Sequence, residues 1–240
     1  MPENAATVFD ISTLYQSQYE VLRANSPELL DRVYRLRYQV YCIENQFEDP
    51  DHNLGGRETD CDDNRAGHVL LIHRQSGEAA GTARVIFPER SQERPLPVER
   101  VLDRDGLRAF RRLPGESTGE ISRFAVSKAF RRRRLADGYS GVSRLWKAEQ
   151  RIMPCITFGL FCGILDICLD RGISHVSAVM EPALLRLLKR FGLHFAPVGG
   201  LIEYHGLRQP CVAPLDDLIN HVRDERRPLC LYASNAMGLA

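Results

Sequence analysis

The stretch 119–126, GEISRFAV, constrains the fold more than any other: Ile121, Phe124 and Val126 predict a central strand, while Glu120 and Arg123 stand inside it. A strand buried on both faces has no place for a lone carboxylate or guanidinium, since breaking a buried pair costs about 3–5 kcal/mol. Partners must come from elsewhere in the chain, and charges paired at that depth often frame a site. The competing reading is a solvated strand end with an incidental ion pair. Which reading holds depends on the charges the rest of the chain supplies.

With 240 residues, 44% hydrophobic and 26% charged, the chain has globular composition, and one domain over 1–240 is expected. A net charge of +1, from 32 basic against 31 acidic residues, excludes a global attraction to nucleic acid or anionic membrane. The seven cysteines form no CxxC pair, and Cys155, Cys162 and Cys168 lie in apolar surroundings. Reduced, buried thiols and a cytoplasmic location follow. The first residues lack the basic and apolar regions of a signal peptide, and the longest apolar run, 156–165, ends at Asp166. Neither a leader nor stable membrane insertion is expected.

Residues 1–27 predict one or two short strands from Val8, Phe9, Ile11, Val21 and Leu22. Ser26 as N-cap and Pro27 then open a helix over 27–44, in which Arg37 and Tyr41 share a face, with Phe47 just beyond it. The segment 45–67 reads as a long loop carrying Glu58, Asp60, Asp62 and Asp63, at a spacing that does not fit an EF-hand. Strands at 68–73 and 81–87 form a hairpin with Arg84 inside the second. A short helix at 98–110 is expected to cover the sheet edge.

After the central strand come Arg131, Arg132, Arg133 and Arg134, which suit either a solvated turn or a phosphate and acidic-protein dock. Neither GxxxxGK[ST] nor GxGxxG is present, so no nucleotide loop of the usual kinds is read. A helix at 156–171 closed by Gly172, a strand at 175–180, a helix at 182–191, a strand at 195–204 and a helix at 215–224 follow. That order predicts a mixed sheet flanked by helices on both faces, an α/β sandwich. GYSG at 138–141 is one residue short of a nucleophile elbow, and the histidines contain no HExxH pair, so no metal is predicted. Without interleaved aromatics the arginine run does not make a nucleic-acid site.

Taken together, the charged positions resemble the acyl-homoserine-lactone synthases and their relatives, a branch of the GNAT-like N-acyltransferases that take acyl groups from acyl carrier protein. Arg37, Tyr41 and Phe47 reproduce the spacing of an arginine and two aromatics, with tyrosine and phenylalanine in place of phenylalanine and tryptophan. Glu58, Asp60 and Asp63 match ExDxxD, Gly81 and Arg84 match GxxR, and Glu120, Arg123 and Phe124 match ExxRF. The match runs over 37–124; beyond it only the order of elements is shared. LLDRVYRLRYQVYCIENQFEDP, with the acidic stretch and HVLLIHRQSGEAAGTARVI after it, is most similar to the acyltransferases of exosortase and PEP-CTERM systems, which are grouped with N-acyl amino acid synthases.

The resemblance implies a GNAT-like α/β fold and attack of a small amine on an acyl-phosphopantetheine thioester carried by acyl carrier protein or CoA, with no bound cofactor. Glu120 is the first choice for proton acceptor, with Arg123 and Glu58 as further catalytic residues. Arg37, Tyr41, Phe47, Asp60, Asp63, Arg84 and Phe124 are expected to bind substrate. In that set Asp60 and Asp63 would hold the ammonium, and the arginines would knit the carboxylates together. A backbone N–H just after Phe124 is the expected oxyanion donor, and Arg131, Arg132, Arg133 and Arg134 are expected to dock the carrier. A lactone synthase using S-adenosylmethionine and a non-catalytic acyl-carrier or acyl-group binding protein remain open alternatives.

Overall fold

Ser26 Oγ accepts from the Leu29 amide at 3.3 Å and Pro27 fills the first helical position, which starts α1, Pro27–Tyr38. The helical path then widens into a π-turn, Gln39–Glu44, closed by the Asn45 amide on the Val40 carbonyl at 3.1 Å. The expected helix over 27–44 is therefore two kinds of helix, and hydrophobic spacing does not distinguish them. Wide turns of this sort recur at functional sites. In this one Tyr41 Oη donates to the Phe124 carbonyl at 3.4 Å and Glu44 accepts from Ser127 Oγ at 3.0 Å. The computed structural model describes residues 15–89, 94–128, 130 and 144–223, with backbone alone at 144–153 and 221–223. The strand expected from Val8, Phe9 and Ile11 and the run Arg131 to Arg134 lie outside the described residues.

The sheet is formed by β1 (Tyr19–Arg23), β2 (Ala66–His73), β3 (Ala79–Ile86), β4 (Thr118–Val126), β5 (His175–Met180), β6 (Ala196–Pro197), β7 (Ile202–Glu203) and β8 (Leu207–Pro214). Its order is β1-β2-β3-β4-β5-β8-β6, with β7 on β8. β4 and β5 pair in parallel, and the other pairs are antiparallel. The expected strand over 195–204 is only the two fragments β6 and β7, while the main strand there is β8, whose Pro210 and Pro214 argue against a strand in sequence. It forms because its antiparallel partner β5 matches it residue for residue, from His175–Pro214 to Met180–Gln209.

Strand alternation sorts the core into two layers. In β2, Leu70 and Ile72 meet Val33, Leu36 and Val40 of α1 and its π-turn, while Val69 and Leu71 turn to the opposite face. There they meet α3, Arg144–Asp170, which begins earlier than the helix expected over 156–171 and carries Pro154 within it. A Cβ on Gly163 would come 2.8 Å from Val21 and 3.0 Å from Val69, so glycine lets this helix approach the sheet. Burial of Val33, Leu36 and Val40 is worth about 1.5–3 kcal/mol for each side chain. On the α1 face, a 3₁₀ turn, Pro97–Arg100, and α2, Arg104–Phe110, bury Val98 and Phe110 against Ile86 and Val198. That segment was expected at the sheet edge; it lies instead across the middle of the face, which brings the Val98 amide over β4. Helices α4, Pro182–Arg190, and α5, Leu215–Arg223, complete the α3 layer.

Candidate active site

The acid-rich loop owes its spacing to a cap. Asp60 opens the 3₁₀ turn Cys61–Arg65 by accepting from the Asp62 amide at 2.9 Å, and Asp63 Oδ2 accepts from the Asp60 amide at 2.8 Å. This reciprocal arrangement points Asp63 Oδ1 at two guanidiniums, Arg37 Nη1 and Arg84 Nη1, each at 2.7 Å. Arg84 also reaches Asp60 at 2.6 Å and donates from Nε to Ser122 Oγ at 3.0 Å. Glu58 takes Arg37 Nε at 2.5 Å on one oxygen and Arg123 Nη2 at 2.9 Å on the other. Arg123 Nη2 lies 3.1 Å from Asp60 and 3.3 Å from Glu48 as well, with its guanidinium 5.2 Å above the Tyr41 ring. Three guanidiniums and their carboxylates thus close into one network, as bidentate-capable arginine favours. Burial pushes the Asp60 carboxyl up, but Arg84, Arg123 and Arg37 outweigh it and hold the group at about 2. The same opposition, decided by Arg37 and Arg84, leaves Asp63 below its ordinary value.

Arg123 sits where β4 breaks register. Pairing with β3 shifts between Thr82 and Arg84, and Arg123 has φ +47°, a left-handed conformation that costs a side-chain-bearing residue roughly 1–2 kcal/mol. The carboxylates gripping its guanidinium stabilise this bulge. A bulge bends its strand, and the consequence is visible on the other side. β4 and β5 pair from Thr118–His175 only to Ile121–Ala178, after which β4 continues to Val126 and β5 to Met180 without pairing to each other.

The gap between them is a cavity of about 460 Å³. Ile121, Phe124, Phe161, Val179, Met180 and Leu184 give it an apolar side, and Glu48, Arg123, Lys128, His205 and Arg208 are among its polar groups. Tyr41, Phe47 and Glu120 line it too. Phe124 packs on Phe161 with ring centroids 5.6 Å apart, and its carbonyl accepts from Tyr41 Oη at 3.4 Å. Glu120 is 4% exposed and accepts from the Val98 amide at 2.7 Å. Burial pushes its carboxyl up to about 7, against the opposing pull of that amide and of Arg84. Among the described residues no cation forms an ion pair with it, so Glu120 stands apart from the arginine network it was expected to join.

The residues singled out in sequence therefore divide in two. Tyr41, Phe47, Glu120, Arg123 and Phe124 line the cavity; Arg37, Glu58, Asp60, Asp63 and Arg84 do not. Asp63, expected to hold the substrate ammonium, has both oxygens engaged by protein donors. Glu58, expected among the catalytic residues, is 2% exposed and lies between Arg37 and Arg123. Arg37 and Arg84 are buried in the same way. Sequence reading missed Glu48, Ser122, Lys128, Glu181, His205 and Arg208. Alternation from Glu120 would have found Ser122, whereas Arg208 lies in the strand its prolines concealed. Among the described residues, no cluster of three or more histidines, cysteines and acids is arranged for a metal ion. Nor is any helix of the described residues long and apolar enough to cross a membrane.

Residues 36–140, which hold the arginine network, the charged bulge and β4 beside the cavity, match the family described as acetyltransferase (GNAT) domain. Three of the solved structures that share the fold illustrate the likeness. TofI, solved in a ternary complex with an inhibitor and MTA, superposes with a TM-score of 0.59 at 17% identity, over 85% of this chain and 95% of its own. BjaI, a CoA-dependent acyl-homoserine lactone synthase solved with SAM and isopentyl-CoA, gives 0.54 at 19% identity, over 92% and 89%. FeeM, an N-acyl amino acid synthase from uncultured soil microbes, gives 0.52 at 18% identity, over 85% and 94%. At these identities the likeness is one of fold. No curated protein matches the chain in sequence.

Proposed function

We propose that this acyltransferase moves a fatty acyl group from an acyl-phosphopantetheine thioester, carried by acyl carrier protein, to the amine of an amino acid or related small amine. The observation that carries the reading is the gap between β4 and β5, where a buried carboxyl of raised proton affinity shares one cavity with an apolar wall suited to an acyl chain. The amine arrives as an ammonium and gives one proton to Glu120, directly or through water. Its nitrogen then attacks the thioester carbonyl, and the C–N bond forms as the carbonyl becomes an oxyanion. Backbone N–H beyond the Arg123 bulge, just after Phe124, is assigned to that oxyanion. Collapse breaks the C–S bond, and the thiolate leaves with the second proton lost by nitrogen, giving amide and free thiol. Arg37, Glu58, Asp60, Asp63 and Arg84 act by fixing Arg123 and the bulge.

Mass spectrometry of lipid extracts from cells expressing the protein tests this reading, with an N-acyl amino acid as the expected product. An acyl-homoserine lactone would move the assignment to the lactone synthases, and binding of acyl thioester without any product would make it an acyl-group binding protein. The placement among exosortase-associated enzymes belongs to the same proposal. Carrier docking is assigned to Arg131, Arg132, Arg133 and Arg134. Replacing Arg132 and Arg133 with alanine is expected to raise KM for the acyl carrier protein several-fold and leave kcat largely intact, because remote binding is lost without touching the transition state. The effect should shrink in high salt, where the Debye length falls below roughly 8 Å. An unchanged KM at low salt would reduce the run to a solvated turn.

A further inference from the structure

Two guanidiniums line the cavity, and they are not equally engaged. Arg123 is held by Glu48, Glu58 and Asp60. Arg208, at the start of β8, has one ion-pair partner among the described residues, Glu181, and that carboxylate is 58% exposed whereas Arg208 is 13% exposed. The rest of its grip is on backbone: Nε donates to the Tyr204 carbonyl at 3.2 Å and Nη2 to the His205 carbonyl at 2.9 Å. A guanidinium has five N–H donors in a fixed plane. These bonds set that plane and leave donors over at its terminal nitrogens. The turn that supplies the carbonyls is itself fixed, since His205 stacks on Phe47 with centroids 5.0 Å apart and rings 29° from parallel.

We propose that Arg208, presented by the β7–β8 hairpin, determines acceptor specificity by binding the carboxylate of an amino acid acceptor. The proposal rests on the acyl-transfer reading above and names the substrate class for it. Glu181 stands where a ligand carboxylate would come, and it has little else to hold it: although it occupies the N-cap position of α4, its side chain makes no cap bond. The Glu181 end of the pair is open to solvent, so a substrate carboxylate can take its place on Arg208. Burial weakens the hold of Arg208 on its own proton. Lys128, on the β4 side of the cavity, bonds through Nζ to Asn45 Oδ1 and lies three positions before the arginine run, and it is assigned with that run to the phosphate of the donor. The two cations, one just past the end of β4 and one on β8, thus serve two different anions.

The test offers the enzyme, with octanoyl-CoA and octanoyl-acyl carrier protein as donors, a pool of the standard amino acids and a matching pool of their decarboxylated amines, with products read by mass spectrometry. The wild-type enzyme is expected to prefer the carboxylate-bearing pool. In Arg208→Gln that preference should collapse by roughly tenfold or more through the acceptor KM, because a site built to bond a charged group rejects partners that lack it. Glu181→Gln, which removes the competing carboxylate, should sharpen the preference. Equal losses toward both pools, with a lowered melting temperature, would make Arg208 a packing residue and overturn the proposal. A rise in donor KM would assign it to the donor phosphate, and a wild-type enzyme indifferent to the carboxylate would also overturn it. No product from either pool with either donor would defeat the acyl-transfer reading itself, and the anchor with it.

Discussion

Glu120→Gln is expected to lower acyl transfer by roughly 10²-fold or more while leaving thioester binding intact, the usual scale for loss of a general base. Glutamine keeps a carbonyl to accept from the Val98 amide, so the fold around the 3₁₀ turn survives the change. The pH dependence separates this cause from a packing defect. Because burial raises the Glu120 carboxyl to about 7, kcat/KM in the wild-type enzyme should rise as pH increases through that value, and the variant should lose that limb. Stability should move in the opposite sense. A carboxyl with folded pKa of about 7 and ordinary value of 4.5 binds more protons folded than unfolded between those limits, so its presence costs stability as pH rises through them. Glu120→Gln should therefore stabilise the protein at pH 8, by about 1–3 kcal/mol, and much less at pH 5. A variant with near-normal turnover, or one destabilised at pH 8, would remove Glu120 from the role of base.

What sequence alone made legible was the pattern of charges, and the reason is physical. Glu120 and Arg123 inside an apolar strand, Arg84 inside another and Asp60 and Asp63 at cap spacing all violate local preference, and such violations need long-range partners. The structure supplies those partners for Arg84 and Arg123, but it gives Glu120 an amide in place of a guanidinium. No local pattern announces a contact between Val98 and β4, because it depends on where a 3₁₀ turn crosses the sheet. The splay of β4 from β5 was hidden for a similar reason, since it follows from a bulge that only the register reveals. β8 was missed because Pro210 weakens the strand pattern, yet Pro210 still serves the sheet through its carbonyl, which accepts from Val198 at 2.9 Å. With β8 went Arg208 and the hairpin beside it.

The arginine network carries the second large effect. Arg37→Ala is expected to cost about 3–5 kcal/mol, because Glu58 and Asp63 would be left buried without one of their cations. For a chain of this length that is a fall in melting temperature of roughly 6–20 °C. The solvent-exposed pair Arg35–Asp31, on the same helix, is the internal control; its removal should leave the melting temperature almost unchanged. Coupling separates a closed network from independent pairs. Arg84 bonds both Asp60 and Asp63, so Arg84→Ala and Asp60→Ala should each be damaging, while the double variant falls short of their sum by about 0.5–3 kcal/mol. Acid adds a check of sign: with the Asp60 carboxyl held at about 2 against an ordinary 3.8, its contribution is present above 3.8 and lost as pH falls through about 2. Urea midpoints across the cycle at pH 7 measure the coupling, and turnover measured on the same variants shows whether it reaches the cavity. Arg123 is the link, since its guanidinium lies in the network and its backbone forms the bulge that parts β4 from β5. Additive losses of stability would mean that these charges do not act as one body. Coupled stability with unaffected turnover in Arg84→Ala would mean that the bulge holds its shape without them.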